Sequence, residues 1–441
     1  MIRADRGGRS VRRQLLALGA LCSIAPAASG SESAPLPTPL TLEQALALAD
    51  DTHPDLDLAR ADLERSRARL IEAEARSGAR LLADLTPERA QPAAGGSDIN
   101  DSRARILLSK QLTDFGRQAA LEAAAGAELV GRELALIDSR QRRRLDIMRR
   151  FFDVLLADLR YAVDNEDMAH RYVNFDRVRQ RYELGQVSEV ELLESENAYR
   201  EVLIARTESE KRQAGSRLQL AVALNRPNQV PGELVRPALA HLEREAPDYR
   251  TLLKEALEAS PVVVAARKEL EAAARSVEAA RARNRPVLTA EAEAARYNET
   301  RGLGRNDWRI GLNLRIPLYD GGETDADIAR AIAEHATREA RLKKAEQDLQ
   351  QAVLDLVQEI ETLKVRRAVA RQRLEFRDAA LERTRSLYEL EVQANLGDAL
   401  VRLTEAQYLA ARADFELALA WARVEALTGR LAPAPPKERT P

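Results

Sequence analysis

The chain has 441 residues, 45% hydrophobic and 31% charged but only 4% aromatic, with a formal net charge of -2. Near-neutral charge excludes the basic footprint of a nucleic-acid binder. The shortage of aromatic side chains argues against large globular cores, and the alanine, leucine, arginine and glutamate that dominate suit long helices packed side by side.

Residues 1–29 read as an export signal. Arg3, Arg6, Arg9, Arg12 and Arg13 precede an apolar run from Leu15 to Ala28, and Ala25-Pro26-Ala27 fits a small-x-small cleavage pattern. The run is well short of the roughly 20 residues a spanning helix needs. Cys22, the single cysteine, lies inside this segment. Leu21 before it is not the small residue of a lipoprotein site, so neither lipidation nor thiol chemistry is expected in the mature chain. No later segment approaches a transmembrane helix, so any membrane crossing must use strands.

The rest reads as two halves of one plan, about residues 30–240 and 241–432, with a disordered tail over 433–441. Leu46–Pro54 corresponds to Leu253–Pro261, Asp114-Phe115-Gly116 to Asp320-Gly321-Gly322, Tyr182-Glu183-Leu184 to Tyr388-Glu389-Leu390, and Ala223-Leu224-Asn225 to Ala426-Leu427-Thr428. Landmarks recurring at one spacing indicate a duplication. Each half runs short helix, proline break, medium helix, two strands, very long helix, tight turn, returning helix. In the first, a helix is expected over Pro54–Arg80, strands over Leu81–Thr86 and Arg103–Thr113, and a long helix over Arg117–Leu184. In the second the matching elements are Pro261–Asn284, Val287–Tyr297, Trp308–Tyr319 and Glu323–Leu390.

The long helices carry coiled-coil spacing. Met148, Phe152, Leu155, Leu159, Ala162, Ala169 and Val173 step by fours and threes, as do Leu349, Val353, Leu356, Ile360 and Leu363, while Phe151, Val154 and Tyr161 add a second seam. Two seams let a helix pack against two neighbours, as in a ring or an ordinary long bundle.

The strands narrow the choice. Trp308, Ile310, Leu312 and Leu314 alternate with Arg309, Gly311, Asn313 and Arg315; Leu288, Ala290, Ala292 and Ala294 alternate with Thr289, Glu291 and Glu293. This period of two describes strands between unlike environments, such as a barrel wall with lipid on one side and water on the other. In the first half Ala104, Ile106, Leu108 and Leu112 form the apolar set, interrupted by Lys110, and Pro87 limits the preceding strand. Four strands cannot close a barrel, and each unsatisfied peptide group in hydrocarbon costs several kcal/mol, so an oligomer is required.

The segment Trp308–Gly322 resembles the strand-to-helix junction of the TolC-like outer membrane efflux proteins, roughly W-x-x-G-L-x-L-x-x-P-L-[FY]-D-G-G. The resemblance implies a mainly α fold with a small antiparallel β part. Three protomers of four strands each would build a 12-stranded outer membrane β-barrel continued into an α-helical periplasmic barrel. It also implies a homotrimer in outer membrane lipid that works with a periplasmic adaptor protein and an inner-membrane pump.

By position in that family, the turns farthest from the strands form the periplasmic tip. Leu184, Gly185, Gln186, Val187, Leu390, Val392 and Gln393 then become adaptor contacts, and Glu191, Glu194 and Asp398 candidate aperture acids. Glu391 occupies the usual glycine position of the second tip, a departure from the pattern. A solvated helix face is the competing reading of the acids. Trp308, Ile310, Leu312 and Leu314 would face lipid. The four histidines lack metal spacing, Gly302-Leu303-Gly304 precedes no phosphate-binding helix, and no cofactor or catalytic residue is expected. The leading reading is a passive export duct. The other is a soluble periplasmic coiled-coil adaptor or scaffold, which should instead have one helical hairpin flanked by soluble β-domains.

Overall fold

The computed structural model describes residues 35–50, 53–91, 98–239, 242–297, 307–390 and 395–431, and from Thr38 onward these form one unit. The signal, the tail, Gly302–Gly304, Glu391, Val392 and Gln393 lie outside the described residues.

After α1 (Leu42–Ala47) and a short 3-10 turn, α2 (Pro54–Arg76) starts where His53 Nδ1 accepts the Asp55 N–H, with Pro54 preset for the first helical position. It stops four residues before the expected Arg80. The Ser77 hydroxyl donates back to the Glu74 carbonyl at 2.8 Å, and Gly78 turns the chain into β1 (Ala79–Thr86). A two-residue ladder, β2 (Arg89–Ala90) with β3 (Ile99–Asn100), extends the hairpin to β4 (Arg103–Thr113).

Helix α3 (Arg117–Glu183) and helix α4 (Glu189–Ala223) complete the first half. The second adds α5 (Tyr249–Ala259), α6 (Pro261–Arg281), β5 (Val287–Tyr297), β6 (Trp308–Arg315), α7 (Glu323–Glu389) and α8 (Leu396–Leu427). Strand β6 ends four residues before the expected Tyr319. Pro317 has no N–H for a ladder and restricts Ile316 before it. Helix α6 likewise ends three residues early.

The four long strands form one antiparallel sheet in the order β1-β4-β5-β6, so its central pair takes one strand from each half. Helices α3 and α7 have 67 residues each, roughly 100 Å at ~1.5 Å per residue. Near the sheet α2 and α6 pack on α3, and α6 reaches α7; farther away α4 packs on α3, and α8 lies against both α3 and α7.

The α7 seam is as expected: Leu349, Val353, Leu356, Ile360 and Leu363 are all buried. On α3, Phe151, Phe152, Val154 and Leu155 are buried, but Ala162, Ala169 and Val173 are exposed and Val163 is buried instead. The buried stripe moves eight residues from Leu155, to Val163, not seven. The segment between the halves is pinned to this core. Arg367 donates to Asp414 at 2.7 Å and to Glu243 at 2.6 Å, Leu242 packs with Leu417 and Trp421, and Leu40 pairs with Leu234.

Candidate functional site

The sheet has two unlike faces. In the cross-strand rows Leu81–Leu108–Ala292–Ile310 and Ala83–Ile106–Ala294–Trp308 every member is apolar. The third row, Ala79–Lys110–Ala290–Leu312, carries the interrupting lysine. These side chains do not cover a core: Ile310 is 76% exposed and Trp308 70%. The opposite face pairs its charges across strands, Arg105 with Asp84 and Arg309 with Glu293, both at 2.8 Å. Both outer strands, β1 and β6, leave one edge without a partner strand among the described residues.

The passage from sheet to long helix is built the same way twice. Asp114 accepts the Gln118 N–H at 2.8 Å, and Asp320 accepts the Thr324 N–H at 2.9 Å. Between each aspartate and its helix the chain takes two left-handed residues, Phe115-Gly116 and Gly321-Gly322. Glycine accepts that conformation at no steric cost, which accounts for the Asp-Gly-Gly sequence. The Thr324 hydroxyl and N–H together hold the Asp320 carboxyl below its ordinary range. An aspartate four residues before the first capped N–H is the signal that sequence reading passed over.

At the far end, Gly185 is left-handed (φ 70°), its N–H bonds the Tyr182 carbonyl, and the Gln186 N–H bonds Arg181. This is a Schellman turn. Leu184 and Leu390 are 71% and 72% exposed, Gln186 is exposed and Val187 half-buried. Ser188 then caps α4 by accepting the Glu191 N–H at 3.3 Å. Glu191 and Glu194, three residues apart on one helix face, are exposed and form no ion pair among the described residues. Asp398 differs: Arg402 bonds it at 2.6 Å, and that bond and charge raise the arginine's pKa. The structure thus leaves two of the three candidate acids free and neutralises the third. It also packs His170 of α3 directly against Gly397 in the first turn of α8, a contact with no sequence signature.

No helix among the described residues is long and apolar enough to cross a membrane, and no group of three or more His, Cys, Asp or Glu among them could hold a metal. Residues 252–430 match the outer membrane efflux protein family model. The chain is 26% identical to Protein CyaE of Bordetella pertussis over 272 residues and 25% identical to outer membrane protein TolC of Salmonella enteritidis over 297, covering 60% and 62% of this chain. Each match spans 57% of the relative's own length.

Among solved structures, the CmeC outer membrane channel of Campylobacter jejuni superposes with a TM-score of 0.74 at 15% identity, over 90% of this chain and 87% of that one. The MtrE outer membrane channel of Neisseria gonorrhoeae, in its open state, gives 0.70 at 19%, over 88% and 89%. These two likenesses establish the fold. Residues 252–430 are thus similar to the outer membrane efflux proteins, and the chain as a whole shares the fold of these channels.

Proposed function

We propose that this protein is the outer membrane duct of a tripartite export system, passively conducting cargo from an inner-membrane pump and a periplasmic adaptor to the exterior. The observation that carries this reading is the sheet: exposed and apolar but for Lys110 on one face, ion-paired on the other, open at both edges among the described residues, and running directly into two 67-residue helices. Only closure with sister strands satisfies those edges in hydrocarbon. Three copies would give 12 strands, a number supported by the family.

The helical flanks are suited to the same closure. Helix α7 exposes Val365, Val369 and Phe376 on one side of the layer, while α2 and α4 expose Leu58, Ile71 and Ile204 on the other. Unlike apolar faces on opposite flanks make a head-to-tail contact that closes into a ring. The tips at Leu184–Val187 and Leu390 would meet the adaptor, and Glu191 and Glu194 would ring the aperture. A soluble adaptor or scaffold is disfavoured by the two helical hairpins joined through one shared sheet.

Spin labels at Ile310, Leu312 and Leu314 test the reading in reconstituted protein. Accessibility to oxygen and protection from a water-soluble relaxation agent are expected at all three. Labels accessible to the aqueous agent in a protein that washes off membranes with carbonate would overturn it.

A further inference from the structure

Away from the sheet, all four helices α3, α4, α7 and α8 line one cavity of about 880 Å³. Six arginines and four carboxylates line it. Four of the arginines are engaged: Arg160 with Asp164, Arg212 with Glu208, Arg412 with Glu416, and Arg423 with Glu359. Arg149 and Arg366 are exposed and form no ion pair among the described residues.

A chain of contacts joins the helices that carry them. Arg366 precedes Arg367, which bonds Asp414; Asp414 adjoins Phe415; Phe415 stacks on Phe152; and Phe152 lies one turn from Arg149. Helix α8 contacts both α3 and α7, and Leu156, Leu363 and Leu419 add apolar lining. Asp153 and Asp355 share the cavity. Burial raises the Asp153 pKa while the charges of Arg149 and Arg150 lower it, so Asp153 competes with a ligand anion for Arg149 less than a solvated carboxylate would. Asp355 accepts from Gln351 at 2.7 Å and lies one turn before Glu359, about three turns from Arg366.

We propose that this cavity binds an amphiphilic organic anion, a carboxylate or sulfonate on a flat apolar body, whose charge is held by Arg149 and Arg366 across α8. A planar guanidinium offers forked donors to such an oxyanion, and the cavity is the size of a small-molecule pocket. Under the duct reading, on which its biological meaning rests, the cavity opens to the conduit and the ligand is cargo in transit.

Isothermal titration of the detergent-solubilised full chain with 2-naphthalenesulfonate tests the site, with uncharged 2-naphthol as the comparison. One saturable site per chain is expected for the sulfonate and none for the naphthol. Arg149→Gln and Arg366→Gln should each weaken binding about tenfold, the loss of one charge-assisted hydrogen bond. Because both side chains are exposed and form no ion pair among the described residues, unchanged circular dichroism and elution volume should accompany the loss. Equal binding of naphthol, or wild-type affinity in the double variant, would overturn the proposal by showing partition into apolar surface only. Titration needs no conducting pore, so this test can fail while the duct stands, and the reverse.

Discussion

Phe152 of α3 and Phe415 of α8 stack face to face, their ring centroids 4.6 Å apart and their planes 3° from parallel. Both are 1% exposed, and each comes from a different half of the chain, so the contact makes one core of two repeats. Phe415→Ala removes a buried ring and is expected to cost about 3–5 kcal/mol. Urea unfolding followed by far-ultraviolet circular dichroism measures it. The same substitution at the exposed Phe376 should cost far less in the isolated chain.

The Asp320 cap predicts a pH dependence. Its folded carboxyl titrates below the ordinary value of 3.8 because Thr324 donates to it through hydroxyl and N–H. A depressed folded pKa contributes stability above the unfolded value and loses it as pH falls through the folded one. Wild type should therefore exceed Asp320→Asn by a constant margin from neutrality down to ~pH 5. The margin should close in stronger acid, and a gap that persists there would show that the carboxylate charge is not what caps α7.

Gly397 has no room for a side chain, since a Cβ there would collide with the imidazole of His170. Gly397→Ala should destabilise the α3–α8 contact by about 1–3 kcal/mol, the range for overpacking. Adding His170→Ala should recover most of that loss, a coupling that a double-mutant cycle resolves. Hydrogen exchange at the first turn of α8 provides the local reading.

Glu191 and Glu194 remain candidates for the aperture because neither charge is spent on a partner among the described residues. Under the duct reading, replacing both by glutamine should lower cation preference in a planar bilayer. Asp398→Asn should change it less, because Arg402 already cancels that charge. Equal effects from all three would show that position, not pairing, governs selectivity.

Strand alternation, proline breaks and the recurring Asp-x-Gly spacing are local signals, and they located β4 and β5 to the residue. Helix ends needed knowledge of turns. Ser77-Gly78 and Pro317 ended their elements earlier than the apolar pattern suggested, because a pattern reports faces and not hydrogen-bond partners. Below Leu155 the α3 seam was misplaced for a related reason: which residue is buried depends on where the helix meets its neighbour.

The two-faced strands, the duplicated plan and the two very long helices follow from periodicity and chain-breaking residues that act over a few positions. Long-range packing set the pairing of β4 with β5, the meeting of His170 with Gly397, and the one cavity reached by Arg149 and Arg366, which form no ion pair among the described residues. Such relationships join residues on different elements or depend on which rotamer finds a partner, and no spacing along the chain encodes them.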